Sequence, residues 1–90
     1  MNRLPEVGEY VHYEGKGSIG DCTGTVVKIY PCRDLQKPRQ WVETPFKPER
    51  WRVAVKVDER PSPWPYGIYD SFAPKISEIE PIGGNNTRKS

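Results

Sequence analysis

From Trp51 to Asp58 hydrophobic and polar positions alternate without a break: Trp51, Val53, Val55 and Val57 on one side, Arg52, Ala54, Lys56 and Asp58 on the other. A period of two residues predicts a strand with one dry and one wet face. The run Thr23 to Tyr30 is β-branched nearly throughout and predicts a second strand, with Thr25, Val27 and Ile29 on one face and Val26, Lys28 and Tyr30 on the other. A shorter strand is expected from about Glu9 to Tyr13, where Glu9, Val11 and Tyr13 share a side, and another from Ile68 to Phe72. After Pro74, Ile76, Ile79 and Ile82 recur every third residue, a spacing that suits one tight turn leading into a short closing strand.

Two segments carry no such period. Residues 31–50 hold Pro31, Pro38, Pro45 and Pro48 and read as a long connection between the second and third strands of the set. Loops in compact domains are usually about 4 to 6 residues, and longer ones more often carry function. Arg60 to Gly67 is a loop of prolines and aromatics, biased toward extended conformations because each residue before a proline is pushed out of the α region.

Composition narrows the class. Ninety residues support one small core, and eight Gly with ten Pro exclude a bundle of long helices. The longest stretch free of both runs from Glu49 to Arg60. The expected organisation is a single domain over residues 1–82 and a disordered polar tail over 83–90. No apolar run approaches the ~18 residues of a spanning helix, and Met1 to Glu6 lacks the apolar stretch of a signal peptide, so the default expectation is a cytoplasmic protein. The balance of 14 Lys and Arg against 12 Asp and Glu gives +2, so nucleic-acid binding would have to rest on local clustering rather than overall charge. Three Trp, five Tyr and two Phe compensate for a 34% hydrophobic fraction and predict an aromatic-weighted core.

Residues with reactive side chains supply few constellations. A strand between Cys22 and Cys32 would hold their sulfurs about 30 Å apart, far beyond the roughly 7 Å Cα limit for a bridge. The same separation argues against a metal site built from these thiols and His12, the sole histidine. The glycine-rich loop Gly15 to Asp21 opens into a strand, whereas a phosphate cradle needs a helix directly behind it. Glu78 and Glu80 are expected to share a solvated strand face. No catalytic residue, metal ligand or cofactor is assigned.

Five short strands, the segments Val7 to Val11, Gly24 to Ile29, Trp51 to Val57 and Ile76 to Ile82, and a single-turn element before the last strand resemble the SH3-like small barrels. The resemblance implies an all-β fold: a small five-stranded antiparallel barrel with a long loop between strands 2 and 3. That superfamily includes RNA-binding domains, peptide-binding modules, chromatin readers and type II dihydrofolate reductases, so the fold does not select a function. Val27-Lys28-Ile29-Tyr30 resembles the reductases' Val-Gln-Ile-Tyr motif, but Lys28 replaces the glutamine and the segment lies too early in the barrel. No catalytic role is carried over.

The candidate binding residues lie in and beside the two irregular segments. Arg33, Lys37, Arg39, Trp41, Phe46, Lys47, Arg50 and Arg52 combine cations with rings, a chemistry that can stack bases and neutralise phosphates. The same residues could instead form a lid, with Trp41 and Phe46 folded over an undersized core, or a protein interface. Trp64, Tyr66 and Tyr69 form a second aromatic group of the kind enriched at interface hot spots. The expectation is a non-enzymatic interaction module that binds a protein partner or self-associates as a homodimer. Single-stranded RNA or DNA binding is the alternative, and a small oligomeric enzyme ranks third.

Overall fold

The computed structural model describes residues 1–36 and 38–82; the tail expected over 83–90 lies outside them. Within this range the chain is all-β and antiparallel. The strands are β1 (Tyr10–Tyr13), β2 (Cys22–Tyr30), β3 (Arg33–Gln36), β4 (Gln40–Glu43), β5 (Arg52–Val57), β6 (Ser71–Phe72) and β7 (Ile79–Pro81). A 3₁₀ turn at Ile76–Glu78 runs directly into β7, as the three-residue isoleucine spacing predicts. Five strands form one sheet in the order β6-β5-β2-β1-β7, and β3 with β4 forms a separate two-stranded sheet. Pairing ends at β6 on one side and β7 on the other; among the described residues no ladder joins these edges.

The β5 alternation is realised as read: Trp51, Val53, Val55 and Val57 are buried, while Arg52 and Lys56 are exposed. They meet Val11 and Tyr13 from β1, Cys22 and Val26 from β2, Phe72 from β6, and Ile76 and Ile79 in one cluster. Tyr13 and Phe72 pack edge to face at 5.0 Å, within the geometry aromatic quadrupoles favour. Beyond β6 the chain stays beside β5, where Val53 N–H donates to the Pro74 carbonyl (3.2 Å) and Ile76 N–H to the Trp51 carbonyl (3.0 Å).

Four local expectations are corrected. In β2 the predicted faces are wrong before Lys28: Val26 is fully buried and Val27 is 47% exposed. The register against β5 shifts between Val26 and Lys28, so Val26 opposes Val55 and Ile29 opposes Val53, with Val27 as the extra residue of a bulge. One extra residue reverses the parity of everything beyond it. Secondly, the supposedly structureless segment 31–50 contains a hairpin, in which Leu35 pairs with Trp41 and Arg33 with Glu43. Thirdly, the strand expected over Ile68 to Phe72 is only Ser71–Phe72, because Tyr69 belongs to a turn: its N–H donates to the Tyr66 carbonyl (3.2 Å), and its carbonyl accepts the Trp64 indole N–H (2.9 Å). Finally, Glu78 lies in the 3₁₀ turn, accepting the Lys75 backbone N–H (2.9 Å), and only Glu80 is on β7.

Candidate interaction surface

Two-stranded hairpins need a reason to persist, since a pair of four-residue strands is marginal in water. Here the base of the hairpin is tied down. Thr44 N–H donates to the Cys32 carbonyl (2.9 Å), its hydroxyl donates to the same oxygen (3.2 Å), and the Trp51 indole N–H donates to that hydroxyl (3.2 Å). A buried core tryptophan therefore anchors the point where the hairpin leaves and rejoins the chain. Pro38 and Arg39 lie in the turn, Arg39 at a φ of 57°, the left-handed conformation usual at the end of such a hairpin loop; the candidate Lys37 lies outside the described residues.

The two faces of the hairpin differ. Asp34 and Val42 share one face, and Asp34 is half-buried, paired with the Arg50 guanidinium at 3.4 Å. That ion pair is this face's link to the turn before β5, and Val42 beside it is still 39% exposed. The other carries the cross-strand pair Leu35–Trp41, flanked by Arg33–Glu43. Leu35 is 52% exposed and Trp41 66%. An aliphatic–aromatic pair directly across a ladder is a stabilising contact worth roughly 0.2–1 kcal/mol, yet it leaves most of both side chains in water. Tyr30, at the end of β2, is also exposed, with the Lys28 ammonium 5.2 Å from its ring centre.

The structure separates the candidate residues. Arg39 and Trp41 are in the hairpin, and Arg50 reaches it through Asp34. Phe46 does not join Trp41; it is half-buried, its ring edge-on to Trp51 at 5.4 Å. Phe46 thus packs on the edge of the core, as a lid would, while Trp41 stays 66% exposed. Exposed Lys47 supplies the carbonyl that accepts the backbone N–H groups of Arg50 (3.0 Å) and Trp51 (2.9 Å), closing the turn into β5. The Arg52 guanidinium donates to the Ala73 carbonyl (2.8 Å). Trp64 is half-buried, packed edge-on to both Phe72 (5.6 Å) and Tyr66 (5.1 Å), whereas Tyr66 and Tyr69 are exposed beside Ile68, which is 86% exposed. No hydrogen bond or ring contact among the described residues joins this loop to the hairpin.

Sequence reasoning passed over Leu35, Val42 and Ile68, which show no period because neither of their segments buries a whole face. It also missed an open cleft of about 470 Å³ at the ends of β1, β2 and β5, lined by His12, Cys22, Thr23, Asp58, Arg60 and neighbours. At its edge the Tyr10 hydroxyl donates to Asp58, and Thr23 to the same carboxylate oxygen (3.2 Å). The hydrogen bond to Asp58 raises the Tyr10 pKa above its ordinary value. Cys22 is buried, its thiol pushed up to about 11 chiefly by desolvation, so it is neutral at physiological pH and a poor nucleophile. Both cysteines are free, and among the described residues no cluster of three His, Cys, Asp or Glu is placed to hold a metal ion. Among the described residues no helix is long and apolar enough to cross a membrane.

Comparison with protein-family models, curated proteins and solved structures finds no match to this chain.

Proposed function

We propose that this chain is a non-enzymatic protein-interaction module: an SH3-like barrel frame that presents the β3–β4 hairpin as its docking element. Three features support the frame reading. The last strand lies beside the first, a single 3₁₀ turn precedes it, and the inward side chains of all five strands meet in one cluster to which, among the described residues, neither β3 nor β4 adds a buried side chain. A sheet that forms its core alone does so by curling on itself.

The observation that carries the functional reading is the Leu35–Trp41 pair, held on a tethered hairpin with both side chains more than half exposed. Large apolar side chains fixed in water by a built support mark a contact surface, and tryptophan is among the residues most enriched at interface hot spots. The single-stranded nucleic-acid alternative draws less support, because Arg50 is paired with Asp34 and Arg33 faces Glu43.

Site-specific photo-crosslinking in cells tests the proposal. A photoreactive amino acid replacing Trp41 is expected to give discrete protein adducts that disappear when Leu35→Ala is added, while the same group at Lys56, on the outer sheet face, gives none. Adducts from position 41 no stronger than those from position 56 overturn the reading. Adducts to RNA or DNA, with affinity falling steeply between about 50 and 200 mM salt, would establish the alternative instead.

A further inference from the structure

We propose that the hairpin docks on a second copy of itself, the two outward faces stacked about a two-fold axis that runs along the strands, midway between β3 and β4. This rests on the reading of the hairpin as docking element and names its occupant. The face carrying Leu35 and Trp41 is polarised across its width: Arg33 and Leu35 lie on β3, and Glu43 and Trp41 lie directly opposite on β4. Rotation about the lengthwise axis lays β3 of one copy over β4 of the other. Arg33 then meets the partner's Glu43, and Trp41 covers the partner's Leu35; each contact is made twice, as an isologous interface requires.

The charge pattern selects this arrangement. An axis running crosswise would lay like strand on like strand and bring Arg33 toward the turn end of the partner, where Arg39 stands. Lengthwise stacking makes every contact one of unlike groups, cation on anion and indole on aliphatic. It also dries the face on which the two largest apolar side chains of a marginal two-stranded ribbon stand exposed. Two faces of this size bury less than the roughly 1,200 Å² of a stable complex, so the dimer is transient, with a dissociation constant on the order of 100 µM.

Sedimentation velocity on the full chain from about 10 µM to about 1 mM, around the predicted midpoint, tests this. The wild type is expected to shift from monomer to dimer over that range. Arg33→Glu and Glu43→Arg should each remain monomeric, because each places like charges across both halves of the interface. An equimolar mixture of the two variants should regain the dimer: in the mixed pair both cross-interface contacts join unlike charges again. Mixing cannot repair the like-charge pair within either hairpin, so rescue is intermolecular. The double variant Arg33→Glu, Glu43→Arg should dimerise like the wild type, which controls for hairpin folding. A wild type that stays monomeric throughout overturns self-recognition, and single variants whose mixture remains monomeric while the double variant dimerises overturn the lengthwise pairing of Arg33 with the partner's Glu43; either result leaves the docking reading to crosslinking at Trp41. A dimer unaffected by Leu35→Ala with Trp41→Ala overturns self-docking through this face; failure at crosslinking as well would remove the hairpin's docking role altogether.

Discussion

Truncating Phe46 and Trp41 to alanine should have opposite consequences for stability and for binding. Phe46 is half-buried and packs edge-on to Trp51 at 5.4 Å, and Trp51 is itself buried in the core. Loss of an aromatic pair costs about 0.5–1.5 kcal/mol beyond burial. Re-exposing a half-buried ring forfeits roughly half of the 1.5–3 kcal/mol assigned to full burial. Phe46→Ala should therefore destabilise by about 2 kcal/mol, or ~8–16 °C in Tm for a domain of this size. Trp41 is 66% exposed opposite Leu35, in a sheet separate from the core, so Trp41→Ala should cost less than about 1 kcal/mol locally and leave the cooperative melt within a few degrees of wild type. Thermal melts followed by far-UV circular dichroism, paired with crosslinking through a second photoreactive position at Leu35, read both quantities. A Tm drop for Trp41→Ala as large as that for Phe46→Ala would refute the reasoning, because it would place the indole on the core.

Two further outcomes follow from the sheet and its thiols. A Cβ on Gly24 would lie 2.7 Å from Val55 Cγ1 and closer still to the Lys56 carbonyl, so Gly24→Ala should lower the urea midpoint by an amount equivalent to about 2–3 kcal/mol; an unchanged midpoint would mean that β2 and β5 do not pair in this register. Cys22 is buried with its pKa pushed up to about 11 from an ordinary 9.0, and Cys32 is half-buried. Iodoacetamide near pH 8 should modify Cys32 first and Cys22 only on unfolding, as read by mass spectrometry. The raised pKa adds stability that is whole below pH 9 and is lost as pH rises through about 11; equal labelling of both thiols in the folded protein would contradict the burial of Cys22.

The parts of the fold that sequence reveals are those where one face is dry. β5 separates Val53, Val55 and Val57 from Arg52 and Lys56, and burial writes that alternation directly into the residues. The isoleucines at 76 and 79 are legible for the same reason, both being fully buried. β2 misleads because Val26 and Val27 are equally apolar, and nothing in their chemistry says which of them is the extra residue of the bulge. The hairpin is hidden for a different reason. Arg33-Asp34-Leu35-Gln36 and Gln40-Trp41-Val42-Glu43 are exposed or half-buried on both sides, so no period develops, and their pairing is set by the turn and by the hydrogen bonds at Cys32 and Thr44. Composition alone could mark Trp41 and Phe46 as aromatics in an irregular segment. Separating them required Trp51, which packs against one and not the other.

The clasp between Cys32 and Thr44 makes the insertion a graft. Its two ends are fixed to each other and to Trp51 before the ribbon begins, so the frame registers only that the ends meet, and the cost of a longer or shorter excursion between them grows slowly with length. Residues 33–43 can therefore be exchanged for another sequence without rewriting the five-stranded sheet, and changes in what is recognised need not be changes in what folds.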